Sequence, residues 1–105
     1  MKIDMQQLIR DLDGKPLAED GTLRKFVTEA LLGTLRGDEN LQGKDKADYY
    51  SLAFLIHHED TPDLSVENIA LIKERIGRAY SSLIVGAVWT ILDPPAADEK
   101  DEESG

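Results

Sequence analysis

Cysteine is absent from the 105 residues. Disulfides, thiolate zinc sites and thiol nucleophiles are therefore excluded. Basic residues are scarce, 12 against 21 acids, and the formal net charge is −9. Such a chain repels phosphate backbones and anionic lipid, so neither direct nucleic-acid binding nor a membrane partner is expected. Long hydrophobic runs are also missing. The longest, Leu83 to Leu92, is half of the roughly 20 residues that span a bilayer. The polar start, Met1 to Gln7, lacks the apolar stretch of a secretion signal. A cytoplasmic location is the expectation.

The usual catalytic loops are missing too. Gly33, Gly37 and Gly43 are too dispersed for a nucleotide-binding fingerprint, and no Gly-x-Ser-x-Gly elbow occurs. His57-His58-Glu59-Asp60 has metal-ligand residue types, but adjacent helical side chains point about 100° apart. They read as a polar helix end, where histidine suits the negative dipole terminus. Asp11-Leu12-Asp13-Gly14 has the opening of a calcium loop. Counted from Asp11, position six is Pro16, where glycine is needed, and position twelve is Thr22 instead of Glu. A plain turn explains it. No catalytic residue, metal ligand or cofactor is assigned, and the protein reads as not an enzyme.

What is present is helical periodicity. Thr22 can cap a helix carrying Leu23, Phe26, Val27, Ala30, Leu31 and Leu35 on one face, with Gly37 as its stop and Gly33 as an earlier alternative. A second helix runs from about Asp45 to His58. Its apolar residues cover more than one face, so it should be central or should touch a partner. Pro62 ends it. Ser65 caps a third helix, whose inner side is traced by Val66, Ile69, Ala70, Ile72, Lys73, Ile76, Ala79 and Tyr80. Lys73, Arg75 and Arg78 lie toward its C-terminal end, where cations suit the dipole. Leu83 to Leu92 reads as a fourth, buried helix rather than a strand, capped by Ser81-Ser82 and stopped by Pro94-Pro95.

Asp13-Gly14 and Asp20-Gly21 are turn signals around Pro16, which predicts a short β-hairpin over about 7–18. From Asp93 to Gly105 six acids and one base give a net −5, leaving −4 for the first 92 residues. The expected architecture is mainly α: residues 1–93 form one compact three-to-four-helix domain with an N-terminal hairpin. Residues 94–105 form a disordered acidic tail.

Aromatics are only 6% of the chain, so each one is worth placing. Tyr49, Tyr50 and Phe54 are read first as core, because their helical spacing is what burial requires, and second as an aromatic contact patch. Trp89 is read first as core and second as an interface residue. The apolar excess over 47–56 and 83–92 leaves room for a partner protein or for a homo-oligomer.

Several blocks together resemble small acidic proteins encoded in tailed-phage and prophage genomes. They are Leu12-Asp13-Gly14-Lys15-Pro16-Leu17, Glu29-Ala30-Leu31-Leu32, Tyr50-Ser51-Leu52-Ala53, and the stretch from Ile69 through Ile76-Gly77-Arg78-Ala79-Tyr80 to Val85-Gly86-Ala87-Val88-Trp89. The likeness covers about residues 8–92. It implies phage origin and an accessory role. With the apolar excess over 47–56 and 83–92, the expected function is non-enzymatic protein–protein binding, as a phage accessory or assembly-associated factor in the host cytoplasm. It assigns no functional residue. The alternative is an acidic inhibitor or nucleic-acid mimic that acts on a host defence or DNA-handling protein.

Overall fold

A computed structural model describes residues 1–93. The expectation of a disordered tail over 94–105 falls outside these residues. The described chain is mainly α, with four helices: α1 Leu23–Leu32, α2 Gly43–His58, α3 Val66–Ala79 and α4 Ser82–Leu92. α1 packs against α2 and α3, and α4 packs against α3. One apolar cluster runs through all of it, from Ile3 to Leu92. Among the described residues no helix is long and apolar enough to cross a membrane.

The helix starts follow the capping chemistry. The Thr22 hydroxyl accepts the Lys25 N–H at 3.2 Å. Ser65 and Asn68 exchange reciprocal bonds of 3.0 and 3.1 Å, satisfying two backbone donors that a helix start leaves free. The end of α1 corrects the expectation of a stop at Gly37. α1 ends at Gly33, whose N–H donates to the Glu29 carbonyl at 2.9 Å. A Cβ on Gly33 would lie 2.8 Å from that carbonyl oxygen, so this close approach requires glycine. Gly37 instead takes φ +93° in the loop beyond, where it precedes a single 3-10 turn, Asp38–Asn40.

The hairpin expected over 7–18 contracts to one antiparallel bridge, Arg10 with Pro16. Leu17 N–H donates to Ile9 O at 3.0 Å and Asp11 N–H to Lys15 O at 2.8 Å. The next donors are diverted. Ile9 N–H goes to Gly21 O at 2.9 Å, and Lys15 N–H goes to the Asp11 carboxylate at 3.0 Å. A ladder cannot lengthen without them. The N-terminal segment works instead as a seam. Met5 N–H donates to Asp60 O at 2.8 Å, and Arg24 N–H to Met5 O at 3.0 Å. Ile3, Met5 and Ile9 are buried, so this segment closes the core beneath α1 and the α2–α3 connection.

Tyr80, at the end of α3, packs edge-on against Phe26 of α1 at 5.3 Å. Its hydroxyl donates to Phe26 O at 3.2 Å and Glu29 Oε1 at 3.3 Å. Burial and the Glu29 charge push the phenol up to about 12.

Candidate functional site

From sequence, Arg75 is a cation toward the C-terminal end of the third helix, placed to suit the dipole. The structure buries it, with 1% of the side chain exposed. Its Nε–H donates to Ala30 O at 3.0 Å and its Nη2 to Gly33 O at 2.9 Å, so the guanidinium caps the end of α1 from α3. Its fork meets Asp38 at 2.8 Å (Nη1–Oδ1) and 3.2 Å (Nη2–Oδ2). Arg78 adds a bond to Asp38 Oδ1 at 2.7 Å and another to Arg36 O at 2.7 Å. Leu35 N–H donates to Asp38 Oδ2 at 2.7 Å. The ring of Tyr49 lies 4.6 Å from the Arg75 guanidinium, a cation–π stacking distance. The cluster fastens the Gly33–Asn40 loop to α3.

The Arg75 fork, then the Leu35 amide and Arg78, hold the Asp38 carboxyl well below the ordinary carboxylate range against the opposing effect of burial. A depressed carboxyl stabilises the fold above its unfolded value, near 3.8, and that stability is lost as pH falls below it. Thermal melts from pH 6 down to about 2 should therefore show a steep loss below about 4. Asp38→Asn, already weakened at pH 6, should show a shallower fall. An equally steep acid transition in Asp38→Asn would assign the loss to other carboxylates.

The second feature is on the outside. α2 buries Leu52, Ala53 and Ile56 fully, packs Tyr49 and Leu55 partly against the core, and leaves Tyr50 and Phe54 exposed. Adjacent residues on a helix diverge by about 100°. Tyr49 accordingly turns to the Arg75 cluster and Tyr50 turns to the surface. Tyr50 stands 6.2 Å from Phe54, and Phe54 stands 4.3 Å from the His58 ring. Leu32, at the end of α1, completes the patch. Leu32, Tyr50 and Phe54 are 59%, 60% and 54% exposed. With Thr28, Ala53, His57 and His58 they line a groove of about 350 Å³ between α1 and α2. The backbone beneath is firm. Arg24 of α1 donates to Ile56 O and Glu59 O, each at 3.0 Å, and to the Asp60 carboxylate at 2.7 Å. That fixes the C-terminal end of α2 to α1.

The four candidate interface residues thus divide. Tyr50 and Phe54 share the groove, Tyr49 belongs to the Arg75 cluster, and Trp89 lies on α4. The expectation that Trp89 is core is corrected. It is 40% exposed and lies across α3, its Nε1–H donating to Lys73 O at 3.1 Å and its ring 4.8 Å below the Lys73 ammonium. A wide ring with a polar edge suits a half-buried position of this kind. Leu32 escaped sequence reasoning, because it looks like a continuation of the buried Ala30–Leu31 stripe. Its position directly before the terminating Gly33 is the one signal that it leaves the core.

Among the described residues no group of three or more His, Asp or Glu side chains is arranged to hold a metal ion. The Asp11 carboxylate accepts Asp13 N–H at 2.9 Å and Lys15 N–H at 3.0 Å, which makes it a turn-forming group. No family model, curated protein or solved structure matches the chain.

Proposed function

We propose that this is a non-enzymatic protein-binding protein that captures a partner in the α1–α2 groove. The observation that carries the reading is the exposure, side by side, of Leu32, Tyr50 and Phe54 around one concave site. Contiguous apolar surface of this kind costs solubility and is a signature of partner binding. Tyrosine and phenylalanine also dominate interface energetics. The groove takes a single apolar anchor side chain. The −9 chain favours a partner with basic flanks. The resemblance to tailed-phage and prophage proteins implies an accessory role, and we read that role as tied to assembly in the host cytoplasm. The acidic-mimic alternative ranks second. Mimicry needs carboxylates spaced along the folded body, whereas −5 of the −9 net charge falls in residues 93–105.

A photocrosslinking side chain placed at Phe54 tests the reading in cells carrying the cognate phage. A discrete adduct with one partner is expected from position 54 and not from Val66 of α3, although Val66 is the more exposed. Equal labelling from both positions, or none from 54, would remove the groove as a binding site. Leu32→Ser, Tyr50→Ser and Phe54→Ser should each leave stability within about 1 kcal/mol of the parent, because surface substitutions away from special features rarely cost more. Chemical denaturation checks this. A larger loss would mean that these residues belong to the core.

A further inference from the structure

We infer that the cavity beside the Arg75–Asp38 cluster binds a small organic monocarboxylate, its carboxylate held by Arg75 and Lys46 and its short apolar body lying against leucines. The cavity, about 450 Å³, is bounded by the end of α1, the 33–41 loop and α2. It shares Leu32 with the α1–α2 groove and is independent of the function proposed there.

A guanidinium carries five N–H donors and no acceptor. Arg75 uses four of them. Nε–H donates to Ala30 O, one Nη1 hydrogen to Asp38 Oδ1, and the two Nη2 hydrogens to Gly33 O and Asp38 Oδ2. The second Nη1 hydrogen has no acceptor among the described residues. Asp38 cannot serve, because its two oxygens already accept four bonds, from the Arg75 fork, Arg78 and the Leu35 amide. The Arg75 side chain is 1% exposed, so little bulk water reaches this donor. A buried donor of a charged group is unfavourable when left unpaired. Arg75 lines the cavity, and that is where an acceptor can approach it.

The neighbours select the ligand. Lys46 is on the same lining, is exposed, and forms no ion pair among the described residues. Two positive donors at one cavity favour an anionic oxygen over a neutral carbonyl. Leu31, Leu32, Leu35 and Leu41 supply the apolar part of the lining. They suit a hydrocarbon body, which inorganic phosphate lacks. Glu39 is also on the lining and repels a second negative charge, which restricts the ligand to a monoanion. An apolar wall with a few placed polar groups, within roughly 300–1,000 Å³, is the usual form of a small-molecule site.

Hexanoate is the probe, titrated into the full chain by calorimetry and followed in thermal melts. Sodium chloride at equal ionic strength controls for screening of the −9 charge, and hexanol controls for the apolar body alone. A dissociation constant on the order of 1 mM is expected. The melting temperature should rise by about 5 °C at roughly tenfold that concentration. Lys46→Gln should weaken binding by roughly threefold or more, and Glu39→Gln should tighten it. Both positions are exposed, so their melts without ligand should match the parent. Phe54→Ser should bind like the parent. A rise no larger than that given by chloride would overturn the site. Hexanol binding as well as hexanoate would overturn the role of the carboxylate, as would an affinity indifferent to both Lys46→Gln and Glu39→Gln. Loss of binding in Phe54→Ser would move the ligand to the α1–α2 groove and overturn the assignment to this cavity.

Discussion

Arg75→Ala should destabilise the protein by about 3–5 kcal/mol, the range for removing one partner of a buried ion pair. That is a large part of the roughly 5–15 kcal/mol that holds a domain of this size together. The cost has identifiable sources. The Ala30 and Gly33 carbonyls lose the donors that cap α1. Asp38 loses both bonds from the fork. The Tyr49 ring loses the cation it stacks against. Arg75→Lys should recover little, because an ammonium cannot reach two carbonyls and a carboxylate with fixed fork geometry. Denaturant melts of both variants, followed by circular dichroism, check the expectation. A Lys variant close to the parent would show that charge alone matters and that the geometry does not.

The next largest effect contrasts two side chains that the sequence ranks in the opposite order. Ile76→Ala, at a fully buried position of α3, should cost about 2–5 kcal/mol through lost transfer energy and the cavity left behind. Trp89→Ala removes a larger group, but one 40% exposed. It should cost about 2–4 kcal/mol, the sum of partial burial and one hydrogen bond to Lys73 O. For a domain of this length each kcal/mol corresponds to roughly 4–8 °C in melting temperature, so both losses should be plain in melts, and fluorescence distinguishes the two environments. Folded-state Trp fluorescence should be partly red-shifted and accessible to a soluble quencher. A blue, unquenched emission would return Trp89 to the core.

These contrasts show where the sequence was legible. Capping chemistry is local, so the starts of α1 and α3 at Thr22 and Ser65 could be read from a few residues. The stop of α1 could not be, because Gly33 and Gly37 both suit a helix end. The choice between them rests on the close approach to Glu29 O and on the Arg75 bond to Gly33 O. That bond spans 42 positions. The Arg75–Asp38 pair spans 37, and nothing in composition connects its members. One hint was present: Arg75 falls three residues after Ile72 and beside Ile76, on the buried stripe of α3. Tyr49 and Tyr50 are chemically alike and adjacent, and only the phase of α2 against α1 decides which one meets solvent. The hairpin over 7–18 was overread because turn residues mark where a chain reverses. They do not show which partner its N–H groups will choose, and here Gly21 O and the Asp11 carboxylate take them.

The central claim is that the α1–α2 groove binds a protein partner through Tyr50 and Phe54 while the fold rests on other residues. Titration calorimetry of the partner crosslinked at position 54 tests it most directly, with the parent chain compared to Tyr50→Ser and Phe54→Ser. The account predicts at least a tenfold weakening for each, about 1.4 kcal/mol or more, with stability within about 1 kcal/mol of the parent. Undiminished affinity in both variants would contradict it.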